Sequence, residues 1–330
     1  MKKNWDVGKL LSVSSGYWKG CTLQAGVRLE IFSHIGGEQL TAEKIAARIG
    51  TDGRATEFLL NGLTALGLLV KEENYFSNTS FATAFLSRNS PKYMGHIILH
   101  HHHLLDGWAQ LDKTVVTGGP VEQRSFGEEA ERESFLMGMF NLAMELAPRI
   151  AEEVDLHGSK HLLDLGGGPG TYAIHFCLAN PELQATIWDR PTTRPFAKKT
   201  VESFNLGERI FFIGGDLTAD PVSGGPYDAA WLSHILHSNS EKECREIIAK
   251  TVAQMSPGGR IFIHDFILDN SKVSPEFAAL FSLNMLINTS QGRSYSEEEI
   301  MAMMLDAGVS KIRRHTFSSP NDSSILFGVV

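Results

Sequence analysis

The stretch LLDLGGGPG, residues 162–170, decides the fold of this chain. It reads as a short apolar strand, a glycine-rich turn and the start of a helix, the order found at the nucleotide-binding end of a doubly wound parallel sheet. A dinucleotide fingerprint would need glycine or alanine at position 171, where Thr171 stands, and no phosphate-binding lysine follows. The stretch fits instead a D-x-G-x-G-x-G pattern that lets the backbone approach a ligand closely. Its members are Asp164, Gly166, Gly168 and Gly170.

Short apolar strands alternate with amphipathic helices after this stretch, which predicts an α/β fold with a parallel sheet. The end of the chain differs, because KIRRHTF and SSILFGVV are separated only by SSPND. A link this short requires an antiparallel hairpin, since a parallel return needs a crossover. The predicted parallel strands are HLLDL (161–165), ATIWD (185–189), IFFI (210–213), YDAAWL (227–232) and RIFIHD (260–265).

Two acids at strand ends identify the class of ligand. Asp189 ends the second strand, where a carboxylate can accept hydrogen bonds from both ribose hydroxyls. Asp216 follows the third strand, where an acid can accept a hydrogen bond from an adenine amino group. The glycine turn and these acids predict an adenosine ligand without a diphosphate. S-adenosylmethionine fits, with S-adenosylhomocysteine (SAH) as the product.

Residues 1–100 read as mainly helical. LTAEKIAARIG predicts a helix with the cap candidate Thr41 at its start and Gly50 at its end. The following segment places Leu59, Leu63 and Leu66 on one stripe of a second helix. LVKEENYFSNTS then reads as a small hairpin, which completes a winged-helix arrangement. Such a unit can bind DNA, but its second helix is poor in cations. The pattern therefore favours packing or dimerisation.

Composition limits the other possibilities. The 330 residues are 42% hydrophobic, the formal net charge is -8, and the three cysteines are widely spaced. These values predict a cytoplasmic protein without nucleic-acid or membrane partners, since nucleic-acid binders usually carry a basic excess and no apolar run approaches the roughly 18 residues of a membrane span. The run from His100 to His103 cannot place all its side chains on one ion, because adjacent helical residues point in different directions. No metal is therefore predicted.

The succession of motifs resembles the class I S-adenosylmethionine-dependent O-methyltransferases of the plant caffeate and acetylserotonin type, and their bacterial relatives in polyketide and phenazine pathways. The resemblance covers nearly the whole chain and includes LLDLGGGPG, WDRP, GGDL, LHSNSEKEC and PGGRIFIHDFIL. It implies a Rossmann-like seven-stranded sheet with a reversed final strand and a homodimer formed through the N-terminal domain. The implied domains are a winged-helix dimerisation domain (1–100) and a methyltransferase domain (101–330) with a helical substrate-pocket linker at about 104–155.

The resemblance also assigns catalytic roles. His237 falls on the catalytic base, and Asp265 falls on an acid that orients it. His234 falls where the plant proteins often have tryptophan, which makes it a pocket or packing residue. The chain departs from the plant pattern at Ser294, which replaces a second acid, and at Ser238, which replaces the aspartate after the base.

Binding residues follow from the same resemblance. The implied cofactor-binding residues are Gly166, Gly168, Asp189, Asp216, Leu217 and Ser233, the last in place of a plant lysine. The implied substrate pocket contains Phe135, Met139, Met285 and Thr289, a mixture that suits a flat apolar acceptor.

The predicted function is transfer of a methyl group from S-adenosylmethionine to a hydroxyl of a small aromatic or polyketide-like molecule. Four alternatives stay open at this point. They are N- or C-methylation of a similar molecule, decarboxylation or hydroxylation by a drifted member of the fold, a non-catalytic cofactor-binding dimer, and a winged-helix regulator.

Overall fold

The computed structural model describes residues 4–121, 129–315, 317, 319 and 322–330, with residues 129–133 described by their backbone alone. Its contacts divide the chain into two units, Met1–Leu105 with Gly127–Asn141 and Asp106–Phe126 with Leu142–Val330. The predicted linker at 104–155 is thus shared between the units, and the predicted boundary at residue 100 stays a prediction. Parts of the predicted linker, of the strand KIRRHTF and of the link SSPND lie outside the described residues.

The first unit is mainly helical with a small sheet. Its strands pair antiparallel in the order β1-β3-β2, which confirms the predicted hairpin. The elements are α1 (Val7–Ser14), α2 (Tyr17–Arg28), α3 (Ile31–Ile35), β1 (Leu40–Thr41), α4 (Ala42–Ile49), α5 (Gly53–Ala65), β2 (Leu69–Glu72), β3 (Tyr75–Asn78), α6 (Ser80–Leu86) and α7 (Gly95–His103).

Local chemistry fixes the two central helices of this unit. The Thr41 hydroxyl accepts a hydrogen bond from the backbone N–H of Lys44 at the start of α4, and Gly50 ends the helix in the left-handed conformation, both as predicted. The predicted apolar stripe of α5 was partly wrong, because only its middle member, Leu63, is fully buried. The buried residues of α5 are Thr56, Leu60 and Leu63.

Three helices connect the N-terminal elements to the large sheet, and further elements complete the second unit. The connecting helices are α8 (Leu105–Trp108), α9 (Leu111–Thr117) and α10 (Glu129–Glu153). The later helices are α11 (Thr171–Ala179), α12 (Arg194–Ser203), α13 (Glu241–Val252), α14 (Glu276–Asn288) and α15 (Glu297–Asp306), with short 3-10 helices at Pro191–Thr193 and Leu236–Ser238. The strands are β4 (His161–Leu165), β5 (Gln184–Asp189), β6 (Ile210–Gly214), β7 (Tyr227–Ser233), β8 (Met255–Asp265), β9 (Ser310–His315) and β10 (Ser324–Val329).

The second unit is built on a seven-stranded sheet with the order β6-β5-β4-β7-β8-β10-β9. Strand β10 pairs antiparallel with both β8 and β9, whereas the pairs formed by β4 to β8 are parallel. This order confirms the predicted sheet with its reversed final strand.

Side chains of β4 pack into apolar clusters on both faces of the sheet. Leu162 packs into one buried apolar cluster, while Leu163 and Leu165 pack into another. Parallel sheets need such cover because their crossover helices lie on both sides. The strand order reverses at β4, with β5 on one side and β7 on the other, so ligands are expected at its carboxyl end. Among the described residues, no helix combines the length and the apolarity that crossing a membrane requires.

Candidate active site

The glycine turn between β4 and α11 opens a space at the carboxyl edge of the sheet. Gly166 has a φ of +66°, and a Cβ there would lie 2.1 Å from Cδ1 of Ile235. Gly168 has a φ of +55°, and a Cβ there would meet no atom within 4 Å. Glycine is required at the first position by both packing and conformation, and at the second by conformation alone. The backbone at Gly168 therefore borders open space that a ligand can enter.

Asp189 lies beside this turn at the end of β5. Its Oδ2 accepts a hydrogen bond from the Gly168 N–H at 2.8 Å, and its Oδ1 accepts one from the Arg190 N–H at 2.6 Å. Burial raises the pKa of Asp189, although these bonds act in the opposite direction. The structure thus ties the predicted ribose acid directly to the glycine turn.

Asp216 follows β6, the strand next to β5, where Gly214 lies opposite Asp189. Its Oδ1 accepts hydrogen bonds from the hydroxyl and the N–H of Thr218 at 2.7 and 2.9 Å, which lower its pKa. Leu217 is half-buried and packs against the apolar core. The predicted adenine acid and its neighbour therefore lie at the same edge of the sheet as Asp189.

Asp164 is a buried acid to which the sequence pattern gave no separate role. It is 1% exposed, its Oδ2 accepts a hydrogen bond from the Ala173 N–H at 3.2 Å, and its Oδ1 has no partner among the described residues. Burial raises its pKa to about 7. Its place in the D-x-G-x-G-x-G pattern was the sequence signal that puts it beside the glycine turn.

His237 and Asp265 form a close, buried side-chain pair. The Nδ1 of His237 lies 2.7 Å from Oδ1 of Asp265, and the His237 N–H donates to Oδ2 at 3.3 Å. Burial raises the pKa of Asp265, but the imidazoles of His237 and His234 outweigh burial and hold it well below its usual range. A carboxylate in this position fixes the Nδ1–H tautomer and leaves Nε2 of His237 able to accept a proton.

Aromatic rings form an apolar wall around His237. Phe266 stacks on the imidazole with ring centroids 6.0 Å apart, and Phe281 of α14 meets it edge-on at 4.9 Å. The side chain of His237 is only 10% exposed. Such a wall keeps water away from a proton transfer and suits a flat apolar acceptor.

Ser233 has a partner that the sequence did not reveal. Its hydroxyl lies 2.9 Å from Nδ1 of His264, and the other ring nitrogen of His264 lies 3.0 Å from the hydroxyl of Ser323. Burial lowers the pKa of His264 well below its usual value, so this imidazole is neutral. Strand register was the missing signal, because Ser233 and His264 lie opposite each other on β7 and β8.

The two departures from the plant pattern are serines in different surroundings. Ser294 is buried, and its hydroxyl has no partner among the described residues. Ser238 is the last residue of the 3-10 helix that carries His237. Neither serine supplies a charge, so Asp265 is the acid that the structure places against the imidazole.

The predicted pocket residues divide between the two units. Phe135 and Met139 lie on the part of α10 in the first unit, where the Phe135 ring lies 5.2 Å from that of His100. Met285 and Thr289 lie in the second unit, where the Thr289 hydroxyl donates to the Met285 carbonyl at 2.7 Å and accepts from the Gly292 N–H at 2.8 Å. Their role in binding an acceptor stays a prediction.

The histidine run lies on α7, and its members do not form a metal-capable group within the described residues. The side chains with that capacity are instead His234, His237 and Asp265, whose donor atoms lie within 4.8 Å of one another. Within this trio, Nδ1 of His237 and Oδ1 of Asp265 already bond to each other.

Comparison with known proteins identifies the family. Residues 106–310 match the O-methyltransferase domain, and residues 11–88 match the O-methyltransferase dimerisation domain. The chain is 33% identical over 327 residues to 3-hydroxy-5-methyl-1-naphthoate 3-O-methyltransferase of Streptomyces sahachiroi, covering 97% of this chain and 94% of that protein. It is 30% identical to the tetracenomycin polyketide synthesis 8-O-methyl transferase TcmO of Streptomyces glaucescens, with 96% of each chain covered.

A solved structure agrees with these matches. PigF with SAH, a protein of a Serratia species, aligns with a TM-score of 0.89 and 25% identity, covering 99% of this chain and 100% of that chain. The resemblance read from the motifs is therefore confirmed. The chain belongs to the S-adenosylmethionine-dependent O-methyltransferase family and is a methyltransferase.

Proposed function

We propose that this enzyme transfers a methyl group from S-adenosylmethionine to a hydroxyl of a small aromatic or polyketide-like molecule, with His237 as the general base. The observation that carries the proposal is the 2.7 Å contact between His237 and Asp265. His237 follows β7 and Asp265 ends β8, so both lie on the same edge of the sheet as the glycine turn. The relatives named above act on a naphthoate and in tetracenomycin polyketide synthesis, which supports an aromatic acceptor.

The residues at the glycine turn fit the cofactor. Open space borders Gly168, Asp189 offers a half-buried carboxylate for the ribose hydroxyls, and Asp216 offers a more accessible one for the adenine amino group. Leu217 supplies an apolar contact beside it, and the hydroxyl of Ser233 is held by His264. When bound, S-adenosylmethionine would supply an electrophilic methyl carbon and a neutral thioether leaving group.

The chain's own contribution is to hold the acceptor and take its proton. A phenol has a pKa near 10 and an imidazole near 6.5, so complete proton transfer before the reaction would cost about 4.8 kcal/mol. Transfer that accompanies methyl attack avoids that ground-state cost, provided that the hydroxyl lies within hydrogen-bond reach of Nε2. The carboxylate of Asp265 stabilises the positive charge that develops on His237.

The assembly proposed for this enzyme is a homodimer formed through the first unit, with a small-molecule acceptor and without nucleic-acid or membrane partners. Helix α1 contains no buried residue, and seven large apolar side chains in or beside it are each more than half exposed: Trp5, Val7, Leu10, Leu11, Val13, Tyr17 and Trp18. Apolar surface of this kind usually marks an interface. The cytoplasmic location stays a prediction.

Sedimentation of the full chain tests this assembly. We expect the wild type to sediment as a dimer and the double variant Leu11→Asp, Trp18→Asp to sediment as a monomer. Val116→Asp is the matched control, since Val116 is 87% exposed and lies in the second unit. A wild-type monomer would contradict the proposed assembly.

Product analysis tests the proposed reaction. The enzyme would be incubated with methyl-labelled S-adenosylmethionine and either 2-naphthol or 2-naphthylamine, two probes that differ only in the accepting atom. We expect labelled 2-methoxynaphthalene by mass spectrometry and no labelled amine. Labelling of the amine alone would contradict hydroxyl methylation.

A further inference from the structure

The proposed reaction leaves His234 without a role, although this residue is held in an unusual way. It follows β7 directly and has a φ of +57°, in the left-handed region that L-residues other than glycine seldom adopt. Its N–H donates to the His264 carbonyl at 2.8 Å, which continues the β7–β8 ladder for one residue and fixes this backbone. Conformations of this kind persist where the surroundings enforce them, and they concentrate at functional sites.

The imidazole of His234 lies among rings and beside a carboxylate. Its centroid is 4.5 Å from that of Phe266, 4.6 Å from that of His264 and 5.8 Å from that of His237. Its Nδ1 is buried without a hydrogen-bond partner among the described residues, and it lies 3.6 Å from Oδ1 of Asp265. An apolar side chain at this position could provide the same packing without the free-energy cost of burying an unpaired nitrogen. Packing alone therefore does not explain a histidine here.

Asp265 is therefore shared by two imidazoles. It accepts the hydrogen bond from Nδ1 of His237 at 2.7 Å, and Nδ1 of His234 faces the same oxygen at ion-pair distance. A negative oxygen favours the proton on the nitrogen that faces it, so neutral His234 carries its proton on Nδ1. The other nearby titratable side chain, His264, is buried and neutral and bonds to serines through both ring nitrogens.

The tautomer determines what His234 can recognise. With the proton on Nδ1, its Nε2 is an acceptor, as is Nε2 of His237, and no described residue bonds either atom. The side chain of His234 is 25% exposed, compared with 10% for His237. An acceptor nitrogen beside the base can bind a group that donates a hydrogen bond, but it cannot bind an ether or carbonyl oxygen. Tryptophan, often found here in the plant proteins, can donate from its ring nitrogen but cannot accept.

We propose that His234 is a specificity residue that accepts a hydrogen bond from a second hydroxyl of the acceptor, next to the hydroxyl that is methylated. The inference rests on the proposed function and narrows its substrate class to dihydroxylated aromatic molecules. His237 takes the proton of the reacting hydroxyl, and His234 holds the neighbouring hydroxyl so that the reacting oxygen is aligned.

Binding of three naphthalene probes tests this inference without turnover. The probes are 2,3-dihydroxynaphthalene, 3-methoxy-2-naphthol, whose second oxygen has no proton, and 2-naphthol, and each is titrated calorimetrically into the enzyme saturated with SAH. We expect the wild type to bind the diol about tenfold more tightly than the other two, the effect of one well-placed hydrogen bond. His234→Phe keeps a ring against Phe266 and should abolish the preference, whereas His234→Gln keeps an acceptor atom and should retain most of it.

His161→Phe is the matched control, because it makes the same side-chain change at a position away from the site. His161 is exposed at the amino end of β4. A wild type without the diol preference, a His234→Phe variant that keeps it, or an equal loss for all three probes would overturn the inference. The last result would show a structural role only.

Turnover of the same probes separates this inference from the proposed function. Methyl transfer without a diol preference would contradict the role of His234 alone. A diol preference in binding without methyl transfer to any probe would contradict the proposed reaction alone. Failure to bind any probe would overturn both, since both assume an aromatic acceptor.

Discussion

Two buried carboxylates at the same edge of the sheet behave in opposite ways. Asp164 on β4 and Asp265 on β8 are 1% and 4% exposed, and burial raises the pKa of each. Asp164 receives one backbone hydrogen bond, and its pKa rises to about 7. Asp265 faces two imidazoles, which reverse the effect of burial and lower its pKa. Burial alone therefore does not decide whether an acid at this edge is charged.

The difference in pKa between Asp164 and Asp265 accompanies a difference in chemistry between two halves of the proposed site. The half proposed to bind the cofactor, around the glycine turn, offers backbone N–H groups and carboxylates. The half proposed to bind the acceptor contains imidazoles that share one carboxylate, which keeps that carboxylate ionised beside the proposed base. An ionised Asp265 beside His237 would stabilise the proton that His237 is proposed to receive.

Replacing His237 should have the largest effect on catalysis. We expect His237→Gln to lower kcat for hydroxyl methylation by about 10²- to 10⁴-fold, the usual contribution of a positioned general base. Single-turnover rates with labelled cofactor measure the effect. The affinity for SAH is the control and should change little, because His237 belongs to the acceptor half. An unchanged kcat would remove His237 from the role of base.

Removing the carboxylate of Asp189 should weaken binding at the half of the site that is proposed to hold the cofactor. We expect Asp189→Ala to weaken binding of SAH by about a hundredfold, because hydrogen bonds to a charged group are each worth about 1.5–3 kcal/mol. Calorimetry on the acceptor-free enzyme measures this loss. Asp112→Ala is a matched control, because Asp112 is an exposed acid on α9 and is not among the residues proposed to bind the cofactor. Equal losses in both variants would contradict the role of Asp189 as the ribose acid.

Paired asparagine variants should change stability in opposite directions. Folded Asp164 holds its proton up to about pH 7, so its ionisation costs stability that appears above about pH 4 and is complete above pH 7. Asp164→Asn should therefore raise the free energy of unfolding at pH 8 by up to about 4 kcal/mol, and by much less at pH 5. Asp265 has a lowered pKa, so its contribution is present at neutral pH and is lost as the pH falls below the ordinary carboxyl range.

Denaturant unfolding of both variants at pH 8 and pH 5 measures these effects. Asp265→Asn should be less stable than the wild type at pH 8, since it loses the charge that faces His237. If both variants were destabilised equally at pH 8, the contrast between the two acids would be wrong.

Local patterns were enough to predict the sheet and the positions of the two strand-end acids beside the glycine turn. The glycine turn, the strand ends at Asp189 and Asp216 and the final hairpin depend on residues close together in sequence, so motif spacing identifies them. The stripe predicted for α5 was only partly wrong, because Leu63 is buried and Leu59 packs against the same core. Leu60 completes that core, whereas Leu66 lies just beyond the end of the helix.

Long-range register explains what the sequence did not reveal. The bond from Ser233 to His264 and the approach of His234 to Asp265 both depend on the pairing of β7 with β8. The raised pKa of Asp164 depends on its burial in the folded chain. A single sequence contains no spacing that fixes these relations.

Removal of metal ions should have the smallest effect on methyl transfer. The proposed reaction needs no Lewis acid, since a thioether leaves as a neutral group and the proton goes to an imidazole. A metal bound by the trio of His234, His237 and Asp265 would also compete with the 2.7 Å bond between the last two. We therefore expect the rate of methylation to stay unchanged after dialysis against EDTA. Activity that was lost in EDTA and restored by Zn²⁺ would instead make these side chains metal ligands, because their donor atoms lie within 4.8 Å of one another.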